Sequence, residues 1–417
     1  MEGKFSMATK SKLVLITDQF PFGKGEASFI LPELAVLKDK FEITIVSKNS
    51  ADEQTSPVDP SIRVYRYPGS STLKKLLYCV RGLFDRDMRE EIRAIRRGKA
   101  EKMRRLSASF YAYASACDFY KFLKKNDLSS EAAIFYSYWN NYAAYALARF
   151  KHTFRGAKVI TRMHGYDVFN ERCPGGRQPL KAQTDRKLDM AVFASAHAME
   201  YYVEHFATQE RERYQVFHLG VRGTGKGPYS PSETLRLFSC SNLVPVKRVS
   251  LLIEALSRLD NIAIAWTHAG GGEQEEQITT LARKLLSGKQ NITYALLGHM
   301  ENKRVRERME TEEFDCFISV TETEGGVPVS MMEACAAGIP VIATDAGGVC
   351  EIVNGQTGVL LPLDVSAQEV ADALTAFHGK STEEKRAMRA AAYQMWEQNY
   401  DAEKNYPRFA ETLQKLV

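Results

Sequence analysis

The chain has 417 residues, 44% hydrophobic, 26% charged and 10% aromatic, enough apolar material for two buried cores, and this excludes a mainly disordered protein. Its net charge of +5 is modest, and no recognised module or aromatic-basic ladder accompanies it, so nucleic acid is not expected as a partner. Seven cysteines (79, 117, 173, 240, 316, 335 and 350) are scattered without a C-x-x-C pair or a His/Cys cluster, which argues against structural zinc and fits a reducing, cytoplasmic setting.

No apolar run approaches the roughly 18 residues of a membrane span. The first one, Leu13 to Thr17, has strand length and is followed by Asp18, so neither a signal peptide nor a transmembrane segment is expected. Short runs rich in β-branched residues begin at 13 (LVLIT), 42 (EITIVS), 133 (AIFYS), 158 (KVITRM), 190 (MAVFAS) and 215 (QVFHL). A second series begins at 235 (LRLFSCS), 262 (IAIAWTH), 291 (NITYALL), 315 (DCFISV), 340 (PVIATD) and 357 (TGVLLP). Longer amphipathic stretches separate them. Apolar strands alternating with helices predict an α/β chain with parallel sheets covered on both faces, arranged as two doubly wound, Rossmann-like domains.

Gly, Pro and Ser concentrate over residues 220–234, GVRGTGKGPYSPSET, as a hinge-like linker should. The expected division is an N-terminal domain over 1–222, a C-terminal domain over 223–395 and a last helix over 396–417 returning to the first domain. The tail from Ser381 reads as helix, interrupted near 399–401 and again at Pro407. Ligands of open α/β sheets sit beyond the carboxyl ends of the strands, so two such domains facing across a cleft direct attention to residues just after strands. A hinge adds a closing motion that excludes water.

One stretch of the first half stands apart. Lys74 to Arg105 holds twelve Lys or Arg against five Asp or Glu, a net +7, which leaves −2 for the remainder. Leu76, Leu77, Val80, Leu83 and Phe84 interleave with these cations in the manner of amphipathic helices. Such a face suits peripheral contact with anionic lipid headgroups or a lipid pyrophosphate, and it suits a solvated basic helix equally well. Asp85-Arg86-Asp87 within it is formally a D-x-D, but it does not follow a strand and reads as helix surface. With no acidic cluster at a strand end, no metal and no cofactor is expected.

The most informative stretch is 314–353, FDCFISVTETEGGVPVSMMEACAAGIPVIATDAGGVCEIV. A strand ends near Val320, a loop with Gly325 and Gly326 follows, and a helix is predicted from about Pro328, where amide groups and the helix dipole favour an anion. Glu333 lies one and a half turns into that helix. A second strand, PVIATD, ends at Gly347 and Gly348. Two adjacent strand-Gly-helix units, each with a carboxylate, are hard to explain by turns alone.

These residues resemble the retaining glycosyltransferases of the GT-B fold in glycosyltransferase family 4, whose pattern of Glu-Gly-x-Pro, a second Glu, Gly-x-Pro-Val-Ile-Ala-Thr and Gly-Gly-x-x-Glu-Ile-Val recurs over 324–353 with one inserted Gly. The resemblance implies a nucleotide-sugar donor, with Glu324 beside the donor sugar, Glu333 accepting from the ribose hydroxyls, and Gly325, Gly326, Val327, Pro328, Val329 and Ser330 along the donor. The insertion leaves Glu322 as a competing sugar-side carboxylate. In FSCSNLVPVKRVS the family's Arg is replaced by Asn242, Lys247 is kept, and Arg248 is expected to supply the second charge on the diphosphate. Gly23 and Gly25 after the first strand, His164 after KVITRM, and Gly298 with His299 after NITYALL are implied to border donor or acceptor. Catalysis would rest on Glu324, His164 and Lys247, with a saccharide or lipid-linked saccharide as acceptor. A GT-B-fold epimerase or phosphorylase, or an inactive nucleotide-sugar-binding partner subunit, remain alternatives.

Overall fold

The computed structural model describes residues 10–23, 26–49, 53–69, 71–97, 101–154, 156–223 and 225–417. The chain forms two compact units, Met1–Phe217 with Tyr406–Val417, and His218–Asn405.

Unit 1 holds seven parallel strands: β1 Ser11–Thr17, β2 Phe41–Ser47, β3 Arg63–Arg66, β4 Ile134–Ser137, β5 Lys158–Met163, β6 Met190–Phe193 and β7 Tyr214–Val216, in spatial order β3-β2-β1-β4-β5-β6-β7. Because side chains alternate across a strand, β1 feeds two cores. Leu13 and Leu15 pack with Ile43, Ile45 and Tyr136 on one face, and Val14 and Ile16 with Phe135 and Val159 on the other. Burial on both faces explains why these strands read as unbroken apolar runs. An exception sits inside β5: Arg162, fully buried, donates to Glu33 at 2.8 Å, to the Tyr136 hydroxyl at 2.6 Å and to the Phe217 carbonyl at 2.9 Å. Burial pushes the Glu33 carboxyl up while Arg162 pulls it back. Phe409, from the C-terminal segment, covers the guanidinium at 4.5 Å.

Unit 2 holds six parallel strands: β8 Thr234–Cys240, β9 Ala263–Ala269, β10 Ile292–Leu296, β11 Cys316–Ser319, β12 Val341–Thr344 and β13 Gly358–Leu361, in order β10-β9-β8-β11-β12-β13. In both units the chain starts centrally, works outward on one side and then crosses to the other. The switch points therefore lie between β1 and β4 and between β8 and β11, where doubly wound sheets bind ligands.

Three sequence expectations are corrected. The unit boundary lies after Phe217, not 222, because Val221 pairs with Asp401 and its carbonyl accepts from the Trp396 indole at 3.0 Å, tying 218–223 to unit 2. The return to unit 1 comes at Tyr406 rather than 396, since the helix Thr382–Asn399 is held to unit 2 by Arg389, which donates to the Phe314 and Gly227 carbonyls. The helix Ala402–Gln414 runs through Pro407. Burial of Tyr406, Phe409, Ala410 and Leu413 outweighs the one hydrogen bond that proline cannot donate.

Candidate functional site

In unit 2 the loops after the strands are drawn together by backbone hydrogen bonds. Gly270 N donates to Gly298 O at 2.8 Å, Leu243 N to Gly271 O at 3.0 Å, and Gln274 N to Leu243 O at 3.0 Å. Gly270 has φ +148°, and a Cβ there would overlap the Ser241 carbonyl, so only glycine allows this closeness. Across the switch point Glu322 N donates to Val246 O at 2.7 Å and the Thr321 hydroxyl to the same oxygen at 3.1 Å. Gly347, φ +59°, presses on the Glu324 carbonyl, where a Cβ would again collide.

This scaffold brings Lys247 and Glu324 into an ion pair, both largely buried. Glu322 is exposed, which separates it from the paired Glu324. Glu333 is buried in the helix Val329–Ala336, with Pro328 as its N-cap residue. It accepts from the Asn302 side-chain amide at 2.7 Å and lies 4.0 Å from Arg306. Burial raises its carboxyl to about 7, against the pull of Asn302 and Arg306. Cys240, ending β8, is raised to about 12 by burial and by Glu333, with Lys247 opposing. Val327 is buried beside this cluster, whereas Gly325, Gly326 and Ser330 are half-buried along the same loop and helix start. Gly298 has φ +67°, and His299 and Asn242 are exposed on neighbouring loops.

Arg248 departs from its expected role. It occupies the left-handed region, φ +46°, and its guanidinium donates to the carbonyls of Val320 at 2.7 Å, Thr321 at 3.2 Å and Leu363 at 2.9 Å. Those bonds hold the β11 loop in place, while Lys247 is the cation paired with Glu324 and Arg306 lies beside Glu333. Sequence reasoning missed Asn302 and Arg306. Their only signal was position, on the helix Asn302–Thr311 that follows the β10 loop.

In unit 1 the strand ends are aromatic. His164 stacks on Tyr138 at 5.0 Å between centroids and meets Trp139 in a tilted contact at 4.2 Å. Both ring nitrogens are buried without a hydrogen-bond partner among the described residues, and burial holds the imidazole well below its usual range, hence neutral. Glu26 gathers the backbone amides of Asp18, Gln19 and Phe20 and the Trp139 indole. Gly23, φ +78°, lies in that β1 loop, while Gly25 falls outside the described residues. Beyond β4 and β5 a cavity of about 870 Å³ opens, lined by Asn140, Tyr166, Asp167 and Lys181 among others. Lys181 is buried, donates to the Asn140 carbonyl and is lowered to about 8 by desolvation. Asp85 and Asp87 are not the solvated surface that their pattern suggested. Both pair with Arg149, and Asp87 accepts from the Tyr145 hydroxyl at 2.9 Å. Among the described residues no group of three His, Cys, Asp or Glu is placed to hold a metal.

Two doubly wound units in tandem, the second with a charged cluster at its switch point, define the GT-B fold, and solved structures of that fold superpose on nearly the whole chain. HepE from Anabaena in complex with UDP matches with a TM-score of 0.66 at 15% identity, covering 97% of this chain and 100% of that one. Sucrose-phosphate synthase from Thermosynechococcus elongatus matches at 0.71 and 13%, covering 98% and 99%. Residues 227–395 match the family described as glycosyl transferases group 1. It is 26% identical over 270 residues to WcaL of Escherichia coli K12, named for glycosyl transfer in colanic acid biosynthesis, covering 62% of this chain and 64% of that one. It is 28% identical over 227 residues, 49% of this chain and 57% of the other, to the GDP-mannose-dependent monoacylated alpha-(1-6)-phosphatidylinositol monomannoside mannosyltransferase of Corynebacterium glutamicum. The chain thus spans just under two thirds of the first of these relatives and over half of the second.

Proposed function

We propose that the protein transfers a hexose or N-acetylhexosamine from a nucleotide diphosphate sugar, UDP-sugar in preference, to a saccharide or lipid-linked saccharide during bacterial surface polysaccharide synthesis. The transfer retains anomeric configuration, uses no metal, and takes place at the cytoplasmic face of the membrane. The observation that carries this reading is the Lys247–Glu324 pair at the β8/β11 switch point, with Glu333 on the following helix.

Breaking a sugar-phosphate bond places negative charge on the departing diphosphate. Lys247 and the amides at the start of the helix Val329–Ala336 stabilise that charge, usually the largest catalytic term. As donor binds, the diphosphate takes over Lys247 and frees Glu324 for the sugar hydroxyls. Glu333, once ionised, accepts from the ribose hydroxyls. The acceptor hydroxyl attacks from the leaving-group side and passes its proton to the phosphate, so no strong side-chain base is needed. The reading is supported by the HepE structures, solved with UDP and with UDP-glucose, and by the polysaccharide roles in the names of WcaL and of AmsK from Erwinia amylovora.

A GDP-sugar donor is the second reading, favoured by the GDP-mannose dependence of the Corynebacterium relative. Thermal unfolding with UDP, GDP, ADP and their sugar conjugates, EDTA present, decides between them. A bound nucleotide at ~100 times its Kd adds about 2.7 kcal/mol. A shift with UDP-sugars alone supports the first reading and a shift with GDP-mannose the second. A shift without turnover would identify an inactive binding partner, and an inverted product would overturn the retaining mechanism.

A further inference from the structure

The helix Thr72–Gly82 and the two residues after it present an anomaly of packing. Leu73, Leu76, Leu77, Val80, Leu83 and Phe84 follow helical i, i+3, i+4, i+7 spacing, yet all six are between 53 and 78% exposed. The helix docks instead through Tyr78 and Gly82, whose missing side chain admits Phe110 and Tyr113 of the helix Lys102–Lys125. At about 100° per residue the apolar side chains form one stripe centred near Leu73 and Val80, with Leu77 at its edge. Lys74 and Arg81 fall together on its border, between the stripe and the packed edge. A contiguous stripe of this size turned to solvent marks an interaction surface rather than scattered exposure.

What lies beyond that border names the partner. A cavity of about 380 Å³ opens beside Leu77, and into it converge Lys74, Arg81, Lys121 and Lys125. The carboxylate there is Asp118, which accepts from the Tyr67 hydroxyl at 2.9 Å. Four cations around one engaged carboxylate make a hollow for an anion, and they border an apolar stripe on the same edge. An anionic phospholipid has this disposition, its phosphate at the depth of the cations and its acyl chains at the depth of the leucines.

We propose that this face docks on an anionic phospholipid bilayer, with Leu73, Leu76, Leu77 and Phe84 inserted and a lipid headgroup phosphate held by Lys74, Arg81, Lys121 and Lys125. The inference deepens the proposed function by placing the acceptor on a lipid surface, and it rests on that reading only for its purpose, not for its occurrence.

The test is flotation of the full chain with phosphatidylcholine vesicles, with or without phosphatidylglycerol, at low and raised salt. Binding should require phosphatidylglycerol and weaken with salt. Lys74→Glu with Arg81→Glu should weaken it by about thirtyfold or more. Leu76→Glu with Leu77→Glu should abolish it, and the exposed Lys284→Glu of unit 2 should leave it unchanged. Both double variants alter exposed side chains and should keep the wild-type unfolding temperature and nucleotide-induced shift. Equal binding to neutral vesicles, or to all variants, would overturn the proposal. So would absence of vesicle binding together with self-association that Leu76→Glu/Leu77→Glu removes, which would make the stripe a protein interface. A chain that floats but takes up no nucleotide refutes the glycosyltransferase reading and leaves this one standing.

Discussion

The carboxyl ends of the two sheets share one strand order and differ in what holds them. In unit 2 the loops are drawn together largely by backbone, with carbonyls and amides of residues 242–246, 270, 271, 298 and 322 bonded to one another and glycines where no Cβ fits, and the Arg248 guanidinium adds side-chain bonds to the β11 loop. In unit 1 they are fixed by side chains from distant parts of the sequence: Glu26 on the β1 loop amides, Arg162 on Glu33 and Tyr136, and an aromatic stack around His164. Backbone-built sites impose glycine at set spacings, so they leave a motif. Side-chain-built sites can be assembled from many residue types, so they leave none.

The sharpest way to break this comparison is to remove one long-range partner from unit 1. Arg162→Met leaves Glu33 buried without its cation, which should cost about 3–5 kcal/mol in chemical denaturation. Adding Glu33→Leu removes the stranded charge and should restore most of that loss. A single variant as stable as wild type would mean that the β5 end is held by packing alone.

Unit 2 offers a contrast between neighbours. Lys247→Ala removes the charge that in the proposed function faces the donor diphosphate, and turnover should fall by about 10²–10³ with little change in unfolding temperature. Arg248→Ala should do the reverse. It removes bonds to three carbonyls, costing about 1.5–3 kcal/mol of stability, while the folded fraction keeps its nucleotide-induced shift. If both variants lose nucleotide binding alike, Arg248 serves the ligand after all.

The same contrast explains what could be read in advance. β8 to β13 and the loops around Gly325 and Gly347 were legible because buried parallel strands are continuous apolar runs and close backbone approach demands glycine. β3, RVYR, was not: it pairs only with β2 at the sheet edge, and its Arg63 and Arg66 are exposed. The carbonyl bonds of Arg248 could not be read in advance, because a cation at a helix start looks the same in sequence whether it meets a phosphate or three carbonyls. Asn302, Arg306 and Lys181 carried no local pattern, their roles arising only where separate helices meet a strand end. Asp85 and Asp87 looked solvated because Arg149, their partner, lies 62 and more residues away.

Glu333 provides the finest test, because in the proposed function its charge state links the unit 2 fold to the nucleotide. Its folded-state pKa of about 7 lies above the ordinary 4.5, so the folded chain binds more protons than the unfolded one between those values. Stability of the ligand-free protein should therefore fall as pH rises from 4.5 to 7 and level off above, by up to about 3 kcal/mol from this group. Glu333→Gln keeps the bond from Asn302 and cannot ionise, so its unfolding temperature should lack that component of the slope. Ribose hydroxyls favour the ionised acceptor, so nucleotide affinity should rise over the same interval in which the empty protein weakens. If Glu333→Gln retains the full wild-type slope, the carboxylate is already ionised at low pH, and Arg306 at 4.0 Å, not burial, sets its charge.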